Sequence, residues 1–194
     1  MLVLASASPR RRALLTQAGY RFQMHPAHIL EDPLPGEKPI AYVTRLAREK
    51  AEAVFRDLSN ARPKSEENLV VLGADTTVAL DNTILGKPED AADAARMLRL
   101  LSGRTHRVIT GVAVVTKRGA EVAAEATAVR FLTLSDAEIA DYVAGGEPMD
   151  KAGAYAIQGR AARWIPRIEG CYFNVMGLPL ALVCSLLEPC GSLI

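Results

Sequence analysis

Cysteine is scarce in this 194-residue chain: Cys171, Cys184 and Cys190 are odd in number and none stands in a C-x-x-C pair. That spacing fits neither a zinc site nor a disulfide framework, and it points to a reducing cytoplasm. Charge of one sign is also missing. Twenty-three Lys+Arg against 22 Asp+Glu leave a net charge of +1, so no global basic field draws in nucleic acid or an anionic membrane. Aromatics make up only 5% of the chain, which offers little for stacking on bases. No window reaches the apolar length of a membrane span, and the opening MLVLASASPRRR lacks the basic-then-apolar order of a signal peptide. The expectation is a soluble cytoplasmic protein, with no stable nucleic-acid partner and no membrane, that binds any anion through a local cluster.

What is present is ordinary globular composition: 49% hydrophobic and 23% charged residues, with a mean hydropathy of +0.10. At roughly 150 residues per domain, the length predicts a single domain over 1–194, or two lobes on one sheet. Apolar runs at 2–5, 69–74 and 78–85 alternate with helical patterns at 9–18 and 38–56, which is an α/β signature. Asp81-Asn82 and Lys117-Arg118-Gly119 read as hairpin turns, so the sheet is expected to be mixed. A helix over 90–101 should stop at Gly103. Ser135 and Glu138 form a capping box opening a helix that stops at Gly145-Gly146. Residues 57–68 are polar and read as a surface loop.

Three places carry chemistry. After the first strand, Ser8 is suited to N-cap a helix and Pro9 to its first position, which puts Arg10, Arg11 and Arg12 at the positive end of the helix dipole. Serine hydroxyls, free N–H groups and guanidinium forks at such a turn make a phosphate cradle; a solvated basic helix start is the alternative. The segment lacks G-x-x-x-x-G-K-[ST] and is not a P-loop. In the second helix Ile40, Val43, Ala47 and Val54 share one face with Lys50 in its middle, while Arg45, Arg48, Glu49 and Glu52 form a solvated face. A buried ammonium needs counter-charge, unless the side chain snorkels to the edge. The apolar run 69–74 then ends in Asp75-Thr76-Thr77, an acid and two hydroxyls where a strand should stop, suited to a metal or a water; a simple turn aspartate is the alternative. Glu31-Asp32 offers a second acidic site, and Lys87 in Gly86-Lys87-Pro88 either returns a cation to the same region or lies on an exposed turn. His106 and Trp164 read as packed residues, and the arginines at 160, 163 and 167 lie near strands expected at the C-terminal end.

The ordered set of segments resembles the Maf family of nucleoside triphosphate pyrophosphatases over nearly the whole chain. The matching stretches are Ser6-x-Ser8-Pro9-Arg10-Arg11, the Glu31 loop, Arg45-Leu46-Ala47-Arg48-Glu49-Lys50-Ala51, Gly73-Ala74-Asp75-Thr76, Gly86-Lys87-Pro88 and Leu101-Ser102-Gly103-Arg104-x-His106. Further on come Thr110-Gly111-Val112, the stretch from Asp150 to Gly159 reading DKAGAYAIQG, and Asn174-Val175-x-Gly177-Leu178-Pro179. Ala156 stands where a glycine is more usual, and Cys171-Tyr172-Phe173 varies the segment before Asn174.

The resemblance implies a two-lobed Maf/ITPase-like α/β fold on an elongated, mixed, twisted sheet with flanking helices and a central cleft. It implies hydrolysis of a nucleoside triphosphate to monophosphate and pyrophosphate, a divalent cation (Mg²⁺ or Mn²⁺), and a homodimer. The DKAGAYAIQG form resembles the branch acting on dTTP and UTP; the branch acting on 7-methyl-GTP is the alternative. Carried over, Asp75, Lys50 and Arg10 are the expected catalytic residues, with Asp75 activating water. Ser6, Ser8, Arg11, Glu31, Thr76, Lys87 and Gln158 are the expected substrate-binding residues, and Asp75 and Glu31 the expected metal ligands. Asp75, set among cations, is expected to have a depressed pKa. A nucleotide-binding regulator with little turnover is the competing function, since the family name is tied to inhibition of septum formation and cell division.

Overall fold

The computed structural model describes residues 1–61 and 68–191. Seven strands form one mixed sheet: β1 (Leu2–Leu4), β2 (Phe22–Met24), β3 (Val70–Leu80), β4 (Thr83–Leu85), β5 (Thr105–Thr116), β6 (Gly119–Arg130) and β7 (Arg167–Glu169). Their order is β2-β1-β3-β5-β6-β7, with β4 also on β3. Strand β1 pairs in parallel with β2 and β3, while β5, β6, β7 and β4 join antiparallel, so the expected mixed sheet is found. Both hairpin turns stand where the sequence places them, at Asp81-Asn82 and Lys117-Arg118.

The helices are α1 (Pro9–Gln17), α2 (Pro39–Ala61), α3 (Ala91–Leu101), α4 (Asp136–Ala144), α5 (Tyr172–Met176) and α6 (Leu180–Leu187). Ser8 caps α1 with Pro9 at its start, and the Ser135–Glu138 capping box opens α4. Helix α2 runs past 56 through Ala61, into the segment expected to be loop; the remainder of that expectation falls on 62–67, outside the described residues. The C-terminal end is helical where strands were expected, apart from the three residues of β7. Among the described residues no helix is long and apolar enough to cross a membrane.

Side-chain alternation along β3 and β5 divides the core. Odd-numbered positions, including Val71, Ala79, Ile109 and Ala113, meet α2. Even-numbered positions split between two clusters. Leu72 and Ala74 pack with Leu14 and Leu15 of α1 and with Val183 of α6, whereas Val78 and Leu80 pack with Leu98 of α3 and Tyr142 of α4. Two glycines let α2 lie this close. A Cβ on Gly73 would stand 2.2 Å from the Ala47 carbonyl oxygen, and one on Gly111 would stand 2.2 Å from that of Val43. Ile40, expected on the buried face, is 50% exposed, and the core cluster on this part of α2 is built from Tyr42, Val43 and Leu46.

His106 is 1% exposed, edge-on to Phe131 and Tyr155, with Nε2 2.7 Å from the Tyr155 hydroxyl. Trp164 is buried in the same cluster, and its Nε1 donates to Glu138 at 3.2 Å. Both are packed residues, as the sequence suggested. Burial lowers the His106 pKa to about 4. Between that value and about 6.5 the unfolded chain binds a proton that the native state refuses, so stability rises with pH across this window. Acidification from pH 6.5 to 4 should therefore cost about 3 kcal/mol through His106 alone. Denaturant titrations of the wild type and His106→Gln at pH 7 and pH 4.5 test this: the wild type should lose more stability than the variant. Equal losses would remove His106 from the account.

Candidate active site

Strand β3 is flanked on one edge by two short strands at opposite ends. β1 pairs with Val70–Leu72 and β4 with Val78–Leu80, so among the described residues 73–77 has no strand on that side. A cavity of about 990 Å³ opens at this gap. The strand does not end at Asp75 as expected: Asp75, Thr76 and Thr77 lie in the middle of an 11-residue strand. Pairing with β5 continues straight through them, from Val71↔Val115 to Ala79↔Arg107. What ends near Asp75 is the neighbouring strand, and that places a carboxylate at a hole in the sheet.

Asp75 is 6% exposed and points to the α2 face, where Lys50, 7% exposed, reaches it from the middle of the apolar stripe. Lys50 Nζ lies 2.7 Å from Asp75 Oδ1 and 2.8 Å from Glu31 Oε1. The ammonium thus finds its counter-charge in two carboxylates and does not snorkel out. Burial pushes the Asp75 carboxyl above the usual carboxylate range, and Lys50 and Arg11 oppose this without outweighing it. The expectation of a depressed pKa is corrected: removing the carboxylate from water costs more than the neighbouring cations return. A raised pKa makes Asp75 a better proton acceptor than a solvated aspartate.

Glu31 sits on the loop preceding α2, held by residues that the sequence reading left on a solvated face or did not mark. The Tyr42 hydroxyl donates to the Glu31 carbonyl at 2.8 Å, and Arg45 Nη2 donates to the Asp32 carbonyl at 3.1 Å. Arg45 also forks onto Glu37, with Nε and Nη2 each 2.7 Å from a carboxylate oxygen. That bidentate pair holds the Glu37 carboxyl below the usual range and raises Arg45. Arg45 is therefore a brace, whereas Arg48 pairs with Glu52 on the exposed surface. The only signal in the sequence was the i, i+3 spacing of Tyr42 and Arg45 toward the loop.

On the opposite side of the gap, the start of α1 brings Ser6, Ser8, Arg10 and Arg11 to the same cavity. The Ser8 amide donates to Ser6 Oγ at 3.2 Å, and Ser8 Oγ accepts from the Arg11 amide at 3.4 Å. Arg10 is 3.9 Å from Asp150, and Arg11 is engaged by protein acceptors. Lys87, after β4, and Gln158, in the segment between two 3-10 turns, Ala152–Ala154 and Arg160–Trp164, also line the cavity. Those two walls are linked, since the Gly153 amide donates to the Gly86 carbonyl at 2.9 Å. All ten expected site residues, Thr76 included, line this one cavity. Arg160 and Arg167 pair with Asp141 and Glu169, and Arg163 covers Trp164, so these three are engaged elsewhere.

Among the described residues no three His, Cys, Asp or Glu side chains converge as a metal cage. Asp75 and Glu31, drawn together by the Lys50 ammonium, are the carboxylates a divalent ion would use, since Mg²⁺ takes one or two carboxylates and completes its shell with substrate phosphates and water.

A family model described as Maf-like protein matches residues 1–190. A dTTP/UTP pyrophosphatase of Geobacter sp. (strain M21) is 53% identical over 194 residues, covering 99% of this chain and 96% of the relative. That of Koribacter versatilis (strain Ellin345) is 50% identical over 192 residues, covering 99% and 95%. Among solved structures, the Staphylococcus aureus Ham1 protein aligns over 97% of this chain and 98% of its own, with a TM-score of 0.41 at 12% identity. Identity at about half of all positions, across nearly the whole length of both partners, means that the chain belongs to the Maf family.

Proposed function

We propose that this protein is a nucleoside triphosphate pyrophosphatase that cleaves dTTP and UTP between the α- and β-phosphates. The observation that carries the reading is the meeting of Arg10, Lys87, Lys50 and Asp75 from four separate segments around one cavity, in a chain half identical to relatives named for that activity. Arg10 and Lys87, with the Ser6–Ser8 turn at the head of α1, bind the phosphates. Asp75 orients a water for in-line attack on the α-phosphorus and accepts its proton, a role favoured by the raised pKa. Lys50 keeps the Asp75 and Glu31 carboxylates together. Thr76 supports the strand beside Asp75, and Gln158, which lines the same cavity, is assigned to the base. A divalent cation, Mg²⁺ or Mn²⁺, held by Asp75 and Glu31, would neutralise phosphate charge and lower the pKa of a bound water.

The enzyme is placed in the cytoplasm, where Cys171, Cys184 and Cys190 stay as the free thiols seen here, and a homodimer is carried over from the family resemblance. A panel of nucleoside triphosphates with Mg²⁺, scored for pyrophosphate against orthophosphate, tests the function. Pyrophosphate should be released fastest from dTTP and UTP. Preference for 7-methyl-GTP would move the chain to the other branch, and binding without pyrophosphate release would make it a regulator.

A further inference from the structure

The resemblance groups Arg11 with the triphosphate ligands, but its guanidinium is already spent on the protein. Nε donates to the Gly177 carbonyl at 2.9 Å, Nη1 to the Ala74 carbonyl at 2.8 Å and to Ser6 Oγ at 3.3 Å, and Nη2 to Thr76 Oγ1 at 3.0 Å. A guanidinium has five N–H donors, so these contacts leave little for a substrate oxygen. Two of the acceptors belong to Ala74 and Thr76, the residues on either side of Asp75. They lie on the stretch of β3 that, among the described residues, has no neighbouring strand on its outer edge. An unpaired stretch of strand edge leaves backbone N–H and C=O groups that need another partner. Here the arginine side chain takes the place of the missing strand. Thr76 Oγ1 continues the chain of contacts to Thr110 Oγ1 at 3.0 Å, and so to β5.

We propose that Arg11 is a positioning residue: a strap that replaces the absent strand at residues 73–77 and thereby fixes Asp75 against the reacting phosphorus, with Arg10 left as the phosphate ligand of the first helix. The inference rests on the pyrophosphatase reading for its catalytic part and on geometry alone for its structural part. Small displacements of a catalytic group cost far more in turnover than in binding. The strap therefore predicts a loss in kcat with affinity preserved, the reverse of what a ligand would show.

The test compares Arg11→Met and Arg10→Met in the full chain. It reads the Kd for the α,β-methylene analogue of dTTP, kcat and KM for pyrophosphate release, and amide hydrogen exchange at residues 73–77. For Arg11→Met, kcat should fall about 100-fold while Kd stays within about threefold, and exchange at 73–77 should accelerate. For Arg10→Met, Kd should weaken by more than about tenfold with exchange unchanged. The proposal is overturned if Arg11→Met weakens Kd as much as Arg10→Met does, or if exchange at 73–77 stays at the wild-type rate. Should Arg11→Met show no cooperative melt, Thr76→Val decides by the same readouts: faster exchange with lower kcat and unchanged Kd supports the strap, and wild-type exchange overturns it. A wild type that releases no pyrophosphate removes the functional reading, and the exchange comparison still judges the strap.

Discussion

Asp75→Asn should abolish pyrophosphate release, lowering kcat by at least about a thousandfold, while the Kd for a non-hydrolysable dTTP analogue stays within about tenfold. The substitution keeps the shape of the side chain and an oxygen able to accept from Lys50 Nζ, which lies 2.7 Å from the Asp75 carboxylate. What it removes is a negative charge and a proton acceptor. The carboxylate is 6% exposed, so no solvent carboxylate or buffer anion can substitute for it. Loss of a negative charge beside a polyanion does not weaken binding by Coulomb's law, which is why affinity and turnover separate. Single-turnover measurement with saturating dTTP and a parallel binding isotherm are sufficient. Wild-type turnover in Asp75→Asn would remove Asp75 from the chemistry and leave it as a structural partner of Lys50.

Lys50→Met is expected to damage both stability and turnover. The methionine fits among Ala47, Ala51 and Val54, but it leaves the Asp75 and Glu31 carboxylates facing each other without the shared ammonium. Removing one partner of a buried pair costs on the order of 3 kcal/mol, equivalent to a fall in Tm of about 10 °C for a chain of this size. The sign with pH follows from Asp75. Its folded pKa is already raised by burial and rises further without Lys50, so the native state of the variant holds a proton that the unfolded chain releases. The penalty is therefore smallest below the ordinary carboxylate range and grows as pH rises through the raised value. The double variant Lys50→Met/Asp75→Asn, which removes both buried charges, should recover at least half of the lost stability and none of the activity. If Lys50→Met melts at the wild-type temperature at pH 8, the pair is not the buried contact described above.

Much of the scaffold was legible in local chemistry. The N-cap at Ser8, the capping box at Ser135, the turns at Asp81-Asn82 and Lys117-Arg118, and the stripe carrying Lys50 each depend on residues a few positions apart, and each is found. Strand β2 was missed because three residues carry no periodicity, and α5 and α6 because short apolar helices and buried strands look alike in sequence. The end of the apolar run at Asp75 was misread as the end of a strand. Polarity changes there because the sheet has a hole, which no local pattern encodes.

The sequence by itself determined which charged groups this protein has and which local elements carry them: the basic turn at the head of α1, a lysine in an apolar helical face, an acid after a hydrophobic run. It also determined family membership, since the ordered motifs span the whole chain. Only the tertiary structure decided how these groups are used. Two short strands leave β3 open at 73–77, two glycines admit α2 close enough for Lys50 to reach Asp75, and the Tyr42 and Arg45 brace brings Glu31 to the same ammonium. Those contacts join residues far apart in the chain, and the burial that raises the Asp75 pKa exists only once the layers have packed.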